Sequence, residues 1–181
     1  MLDLKKTTAT LNKFGDNVVY DAKQNLKDSG KVASGKLLDS IYSSGAKYTG
    51  KSLELNIVLE KYGAFIDKGV SGVKVKYDTP YSYTNKMPPP SALDGWIVRK
   101  GLAPRENGKF TGRTISAVGF QKSIQFLVAR SIFFNGIKPT KFLTNAVQKN
   151  LNILPNDLRN SFGLDVNSTV DFIIKTNLKK K

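Results

Sequence analysis

Apolar side chains recur at helical spacing near the start of the chain. Over residues 4–27 they fall three or four positions apart, which is the spacing of one face of an α-helix. The stripe consists of Leu11, Phe14, Val18, Ala22 and Leu26. Gly30 follows the pattern and is expected to end the helix. A second, shorter helix is predicted next, capped by Ser34 and burying Leu37, Leu38 and Ile41.

The following part of the chain alternates between apolar and polar positions, as β-strands with one buried face do. Residues 52–60 alternate throughout, except that Val58 lies on the polar face. A shorter strand is predicted at 46–49, joined to the first through Gly50-Lys51. Near the C-terminus, residues 169–176 alternate again and predict one more strand, with one face made of Val170, Phe172 and Ile174.

Between these regions, residues 70–90 are rich in Gly, Tyr, Lys, Thr and Pro and predict a long extended arm. Apolar and polar residues alternate over 73–78, so a β-hairpin is one interpretation of this part. Three consecutive prolines then stiffen the chain and direct it into an inserted helix that begins at Ser91 and ends at Gly101. We expect the residues after this helix to be exposed.

Three further helices are predicted at 117–135, 140–153 and 155–162. The sum is an α+β fold in which a small, mostly antiparallel sheet packs against several helices and carries a long extended arm. We predict one core domain and three appended parts. The core comprises residues 1–69 and 110–176, the arm 70–90, the inserted helix and loop 91–109, and the basic tail 177–181.

The composition excludes several kinds of chemistry. The 181 residues include no Cys and no His, which removes disulfides, thiolate metal sites, serine–histidine triads and histidine-ligated zinc. Glu60, Asp67 and Lys68 lie close in sequence, but no Pro-Asp step precedes an acid-x-Lys triplet, which argues against a nuclease. Residues 69–72 lack the Gly-Lys-Ser/Thr ending of a phosphate-binding loop. We therefore expect no enzyme, no metal and no cofactor.

The chain is strongly basic, with a formal net charge of +15 from 29 basic and 14 acidic residues. Such an excess indicates an anionic partner, which is nucleic acid, an acidic protein surface or lipid headgroups. Only five of the basic residues are Arg, which argues against sequence-specific DNA recognition. We expect no signal peptide, because the first residues lack an apolar core of the necessary length, and no apolar run approaches the ~20 residues of a membrane span. We expect a soluble protein without membrane contact.

Tyrosines and lysines alternate in the arm, and this pattern has two interpretations. Lys74, Lys76, Tyr77, Tyr81 and Tyr83 carry it. The aromatic rings could stack on single-stranded bases. The interpretation that we favour is that they pack on a neighbouring protein, because tyrosine is enriched at protein interfaces. Trp96 lies in a predicted amphipathic helix and is expected in the core.

Three short motifs follow one another along the chain. They are residues 34–41 (SGKLLDSI), 62–69 (YGAFIDKG) and 136–146 (GIKPTKFLTNA). Together they resemble the head–tail joining and tail-completion proteins, or neck proteins, of long-tailed, lambda-like bacteriophages. The first is similar to that family's small-Gly-basic-Leu-x-x-Ser-Ile helix start, and the second to its Tyr-Ala-x-x-Val-Glu-x-Gly turn. The third is similar to its Pro-x-x-Phe-Leu-x-x-Ala entry to the last long helix.

The chain also departs from the family pattern. Asp67 stands where the family has Glu, and Gly63 is inserted beside Ala64. The second and third motifs are separated by an insert whose residues 88–101 are similar to a variant in phages of gut Bacteroidetes. Residues 155–181 have no counterpart in the family.

The resemblance implies a structural virion protein that forms a ring of identical subunits in the phage neck. It would be made in the host bacterial cytoplasm and would contact portal or adaptor proteins, tail proteins and, transiently, packaged DNA. The alternative, based on charge, is a non-specific nucleic-acid-binding protein. Subunit contacts are predicted at Tyr62, Phe65, Asp67, Val73, Val75, Tyr77, Tyr81, Tyr83, Pro88, Pro89 and Pro90. Contacts to DNA or to an acidic partner are predicted at Lys74, Lys76, Arg105, Lys109 and Arg113.

Overall fold

The computed structural model describes residues 4–50, 52–100, 105–106, 109–110 and 118–178. Its helices are α1 (Lys5–Asp28), α2 (Lys36–Ser40), α3 (Gly63–Lys68), α4 (Asp94–Arg99), α5 (Val118–Asn135), α6 (Phe142–Leu151) and α7 (Leu154–Leu178). A 3-10 helix over Pro90–Leu93 directly precedes α4. The strands are β1 (Tyr42–Ser43), β2 (Lys47–Tyr48), β3 (Leu53–Glu54), β4 (Ile57–Val58), β5 (Arg105–Glu106) and β6 (Lys109–Phe110).

The described strands form three antiparallel ladders of two strands each, which pair β1 with β4, β2 with β3 and β5 with β6. Helices and antiparallel strands together make the fold α+β, which confirms the predicted class. The chain divides into two compact units. The first unit is Met1–Asp28, Leu38–Glu60 and Phe142–Lys181, and the second unit is Ser29–Leu37 and Lys61–Lys141. The domain boundaries drawn from composition stay a prediction.

In the first unit, α1 packs against α6 and α7. Of the predicted apolar stripe, Val18, Ala22 and Leu26 are buried, as expected from their spacing on one helix face. Phe142 and Ala146 of α6 are fully buried in the same unit. These side chains form the core of the first unit, and they follow from the 3.6-residue period of the two helices.

Asp165 of α7 caps the N-terminus of α1. Its carboxylate accepts hydrogen bonds from the Thr7 N–H at 2.8 Å, the Thr7 hydroxyl at 2.7 Å and the Lys6 N–H at 3.1 Å. Burial alone would raise the pKa of Asp165, but these hydrogen bonds and the charge of Lys6 bring the pKa below its ordinary value. The first amides of a helix have no partner within the helix, so this carboxylate satisfies donors that would otherwise be unpaired.

The C-terminal part of the first unit differs from the sequence predictions. The strand predicted at 169–176 is wrong, because this segment continues α7, and the helix predicted at 155–162 extends to Leu178. Within α7 the hydroxyls of Ser168 and Thr169 donate to the carbonyl oxygens of Leu164 and Asp165, 2.8 and 2.9 Å away. Both hydroxyls thereby find acceptors within the helix.

The strand predicted over 52–60 is interrupted, because β3 and β4 belong to two ladders in different register. Between those ladders, residues 44–46 lie opposite residues 55–56, so one strand carries an extra residue. This is a β-bulge, and Gly45 has a positive φ of 74°, the conformation that glycine adopts in bulges of the G1 type. The Ala46 N–H donates to Asn12 Oδ1 of α1 at 2.6 Å. A side chain of α1 therefore replaces the ladder partner that the bulge removes.

In the second unit, α5 packs against α4 and the 3-10 helix before it. Ile97 and Ala129 are fully buried, and the Gln125 side chain donates a hydrogen bond to the Asp94 carboxylate. Ser34, the predicted N-terminal cap of α2, lies two residues before the helix, and its Oγ accepts from the Lys36 N–H at 3.4 Å. The inserted helix begins at Pro90, one residue before the prediction, since proline suits the first position of a helix.

Candidate functional site

The second sequence motif lies against the first part of the third motif, residues 136–141, in the second unit. Val70 and Ile137 exchange backbone hydrogen bonds of 2.9 and 2.8 Å in an antiparallel bridge. The carbonyl oxygen of Ile66 accepts from the N–H and the hydroxyl of Thr140, and that of Asp67 accepts from the Lys141 N–H at 2.9 Å. We call residues 66–72 and 133–141 the paired segments. Backbone hydrogen bonds hold them together.

Close approach of the two backbones depends on glycine, most closely at Gly136 and Gly72. A Cβ atom on Gly136 would lie 2.1 Å from the carbonyl oxygen of Val70, and one on Gly72 would lie 2.2 Å from that of Phe134. Gly136 also has a φ of 73°, which L side chains rarely adopt. It follows directly after α5, where its N–H donates to the Ile132 carbonyl at 2.8 Å.

Ser71 anchors the segment that the sequence predicts as an extended arm. Its N–H donates to the Tyr81 carbonyl and its carbonyl accepts from the Tyr83 N–H, both at 2.8 Å. Its buried hydroxyl accepts from the Tyr77 N–H at 2.9 Å and donates to the Tyr77 carbonyl at 3.1 Å. The segment is irregular, as predicted, but residues 77–83 fold back around Ser71. The sequence signal for this anchor is only the small residue between Val70 and Gly72.

The hairpin interpretation of residues 73–78 is wrong, because these residues bend around the C-terminus of α5. The Val73 N–H donates to the Phe133 carbonyl at 2.9 Å, and the N–H groups of Lys74 and Val75 donate to the Phe134 carbonyl at 2.9 and 3.2 Å. The last carbonyls of a helix have no partner within it, so the loop satisfies them. Residues 73–75 therefore cap the C-terminus of α5 and do not pair as strands.

The predicted subunit contacts divide into exposed and covered side chains. Tyr62, Phe65, Val73 and Val75 are each about two fifths exposed. Tyr77, Tyr81 and Tyr83 are half-buried: Tyr81 stacks edge-on against Phe65 with ring centroids 4.6 Å apart, and Tyr83 lies 6.4 Å from Phe133. Burial raises the pKa of the Tyr83 hydroxyl above its usual value. Pro88 and Pro90 are half-buried and Pro89 is exposed.

Asp67 is buried and differs from the other predicted contacts. Only 4% of its surface is exposed, so its side chain lies in the interior of the second unit. A buried carboxylate must have polar partners. The position that the sequence motif marks as acidic is thus covered by the fold.

The predicted basic contacts are also distributed unevenly. The Lys74 ammonium lies 5.0 Å from the centroid of the Phe134 ring, and the Lys76 ammonium donates to the Gly72 carbonyl at 2.9 Å. Arg105 and Lys109 belong to the β5–β6 ladder. Arg113 lies outside the described residues. The sequence prediction omitted Arg130, whose guanidinium lies 5.7 Å from the centroid of the same Phe134 ring.

Among the described residues, no three acidic side chains come close enough to hold a metal ion. None of the described helices is long and apolar enough to cross a membrane. Comparison with known protein families, with curated proteins and with solved structures finds no match. The candidate site is the surface built on the paired segments and on the loop that folds around Ser71.

Proposed function

We propose that this protein is a structural virion component that assembles with copies of itself into a ring in a bacteriophage neck, between portal and tail. Two observations support the proposal. The three sequence motifs resemble the neck family, and two of these motifs supply the paired segments. Contacts that repeat around a rotation axis close such rings from identical subunits.

The observation that carries the proposal is an exposed apolar surface on a fixed backbone. Phe65, Val73 and Val75 are 41%, 39% and 38% exposed, although the chain beneath them is hydrogen-bonded to α5 and to residue 137. Large apolar side chains that the fold leaves exposed are candidates for an interaction surface. A surface that is already ordered loses little conformational entropy on binding. These residues therefore suit the contact between neighbouring subunits.

The mass of the purified protein in solution tests the proposal. We expect light scattering after size-exclusion chromatography to report a ring of many subunits and negative-stain images to show it. Replacing Phe65→Ala together with Val73→Ser should shift the population to the monomer, because both side chains are lost from the contact. The matched control is Tyr20→Ala with Val58→Ser, which removes one exposed aromatic and one exposed valine from the first unit.

The outcomes separate the two function classes. The proposal is supported if the wild type forms a ring, the Phe65 and Val73 variant dissociates it, and the control variant leaves it intact. A monomer that elutes earlier when DNA is added supports the alternative, a non-specific nucleic-acid-binding protein. A wild-type monomer at every concentration contradicts the ring, as does equal dissociation by the two variants.

A further inference from the structure

An open groove lies beside the C-terminal half of α5 in the second unit. Its volume is about 300 Å³, and we call it the Phe134 groove. It is lined by Lys74, Leu127, Arg130, Ser131, Phe134 and Asn135. The lining holds two cations and no carboxylate. Its occupant should therefore carry negative charge, and we infer its chemistry from the donors that face it.

The two cations of the groove share one aromatic ring. Lys74 Nζ lies 5.0 Å and Arg130 Cζ 5.7 Å from the centroid of the Phe134 ring. Both lie on backbone that is held in place, because the Lys74 N–H donates to the Phe134 carbonyl and Arg130 lies within α5. A cation above an aromatic face keeps its charge while its side chain loses freedom. The ring thus holds two positive charges at the groove.

A hydroxyl adds a third donor to the groove. Asn135 Nδ2 donates to Ser131 Oγ at 3.2 Å, so this oxygen already accepts a hydrogen bond and its own hydrogen is left for a ligand. An ammonium, a guanidinium and a hydroxyl together donate to a group with several acceptor oxygens. Phosphate is such a group, and Arg and Lys are its usual partners in proteins.

We propose that the Phe134 groove binds the phosphodiester backbone of a nucleic acid strand without reading its bases. The Phe134 ring already contacts two cations and, at 5.3 Å, the ring of Phe133, so it is poorly placed to stack on a base as well. Lys76, two residues after Lys74, extends the positive charge along the chain. The net charge of +15 attracts a polyanion over long range. This inference does not depend on ring formation.

Fluorescence anisotropy with a labelled oligothymidine of about 20 nucleotides tests the inference. The variant Lys74→Gln with Arg130→Gln should bind about tenfold more weakly in low salt. Because each lost phosphate contact removes about 0.7 from the slope of log affinity against log salt, the slope should fall by about 1.4. The charge-retaining variant Lys74→Arg with Arg130→Lys should bind nearly as the wild type does.

The matched control is Lys61→Gln with Lys86→Gln. It removes the same charge from exposed positions of the same unit, and its slope should change by less than half as much. Polyglutamate of similar charge serves as competitor and should displace the oligonucleotide poorly. The inference is overturned if the wild type does not bind, if the control loses as much, or if polyglutamate competes equally well. The last outcome would assign the groove to an acidic protein segment.

Discussion

Each of the two units is stabilised internally by a different kind of contact. In the first unit, helices meet through side chains, with Phe142 and Ala146 buried beside the stripe of α1 and Asp165 capping its first turn. In the second unit, the paired segments meet through backbone atoms, and glycines allow the approach. Side-chain packing tolerates gradual change, whereas a backbone contact at glycine excludes every larger residue. The candidate functional surface is built on the backbone contacts of the second unit.

The largest effect is expected in the core of the first unit. Phe142→Ala removes a fully buried aromatic side chain and should lower the free energy of unfolding by about 4 kcal/mol, since the lost burial and the cavity add. Phe162→Ala is the control, because the same substitution at an exposed position of α7 should cost less than about 1 kcal/mol. Urea denaturation measures both. Equal losses would show that the buried cluster is not what stabilises this unit.

A smaller effect is expected where the second unit relies on backbone contact. Gly136→Ala should cost about 3 kcal/mol, because the added Cβ would force the Val70 carbonyl away and break the bridge to Ile137. Gly30→Ala is the matched control, with a similar φ of 66° but no atom within 4 Å of the new Cβ. It should cost only about 1 kcal/mol, the ordinary penalty for this backbone conformation.

Hydrogen exchange of the Val70 and Ile137 amides gives the second readout of that comparison. Both amides donate in the bridge, so Gly136→Ala should increase their exchange while Gly30→Ala leaves it nearly unchanged. If the two substitutions cost the same, the strained φ alone would explain the effect of Gly136, and close approach would not matter.

The sequence predicts contacts within an element better than contacts between distant elements. The buried positions Val18, Ala22 and Leu26 of α1 and the end of α5 before Gly136 depend on neighbours within a few residues, and the structure confirms them. The bulge at Gly45 depends on register, which alternation alone does not fix. Asp165 and Thr7 are 158 positions apart, so no local pattern marks the cap that they form.

The candidate site also combines features that the sequence predicts with features that only the structure shows. The motifs that form the paired segments are visible in the sequence, but the bridge that joins Val70 to Ile137 is not. The sequence predicts the tyrosines of the arm as contacts, but it does not predict their anchor at Ser71. A serine between two small or apolar residues carries no distinctive signal. Arg130 and Phe134 are four residues apart on α5, so their contact is within reach of a sequence pattern, whereas the approach of Lys74 to the same ring depends on the loop that folds against α5.

The smallest expected effect concerns the buried carboxylate of the first unit. Asp165→Asn replaces an ion that accepts three hydrogen bonds and should cost about 2 kcal/mol at neutral pH. Because the pKa of Asp165 is lowered in the folded protein, its contribution is complete above the unfolded pKa of about 3.9 and is lost as the pH falls through the folded value. The gap between wild type and variant should therefore close below about pH 4.

Urea denaturation at neutral pH and across the acidic range measures that gap. Asp171→Asn is the control, because Asp171 is exposed on the same helix, and it should change stability by less than about 0.5 kcal/mol throughout. The cost of Gly136→Ala sharpens the comparison, since the bridge that it breaks contains no titratable group and its cost should not follow the titration of Asp165. A gap for Asp165→Asn that stays constant with pH would mean that shape, and not charge, caps α1.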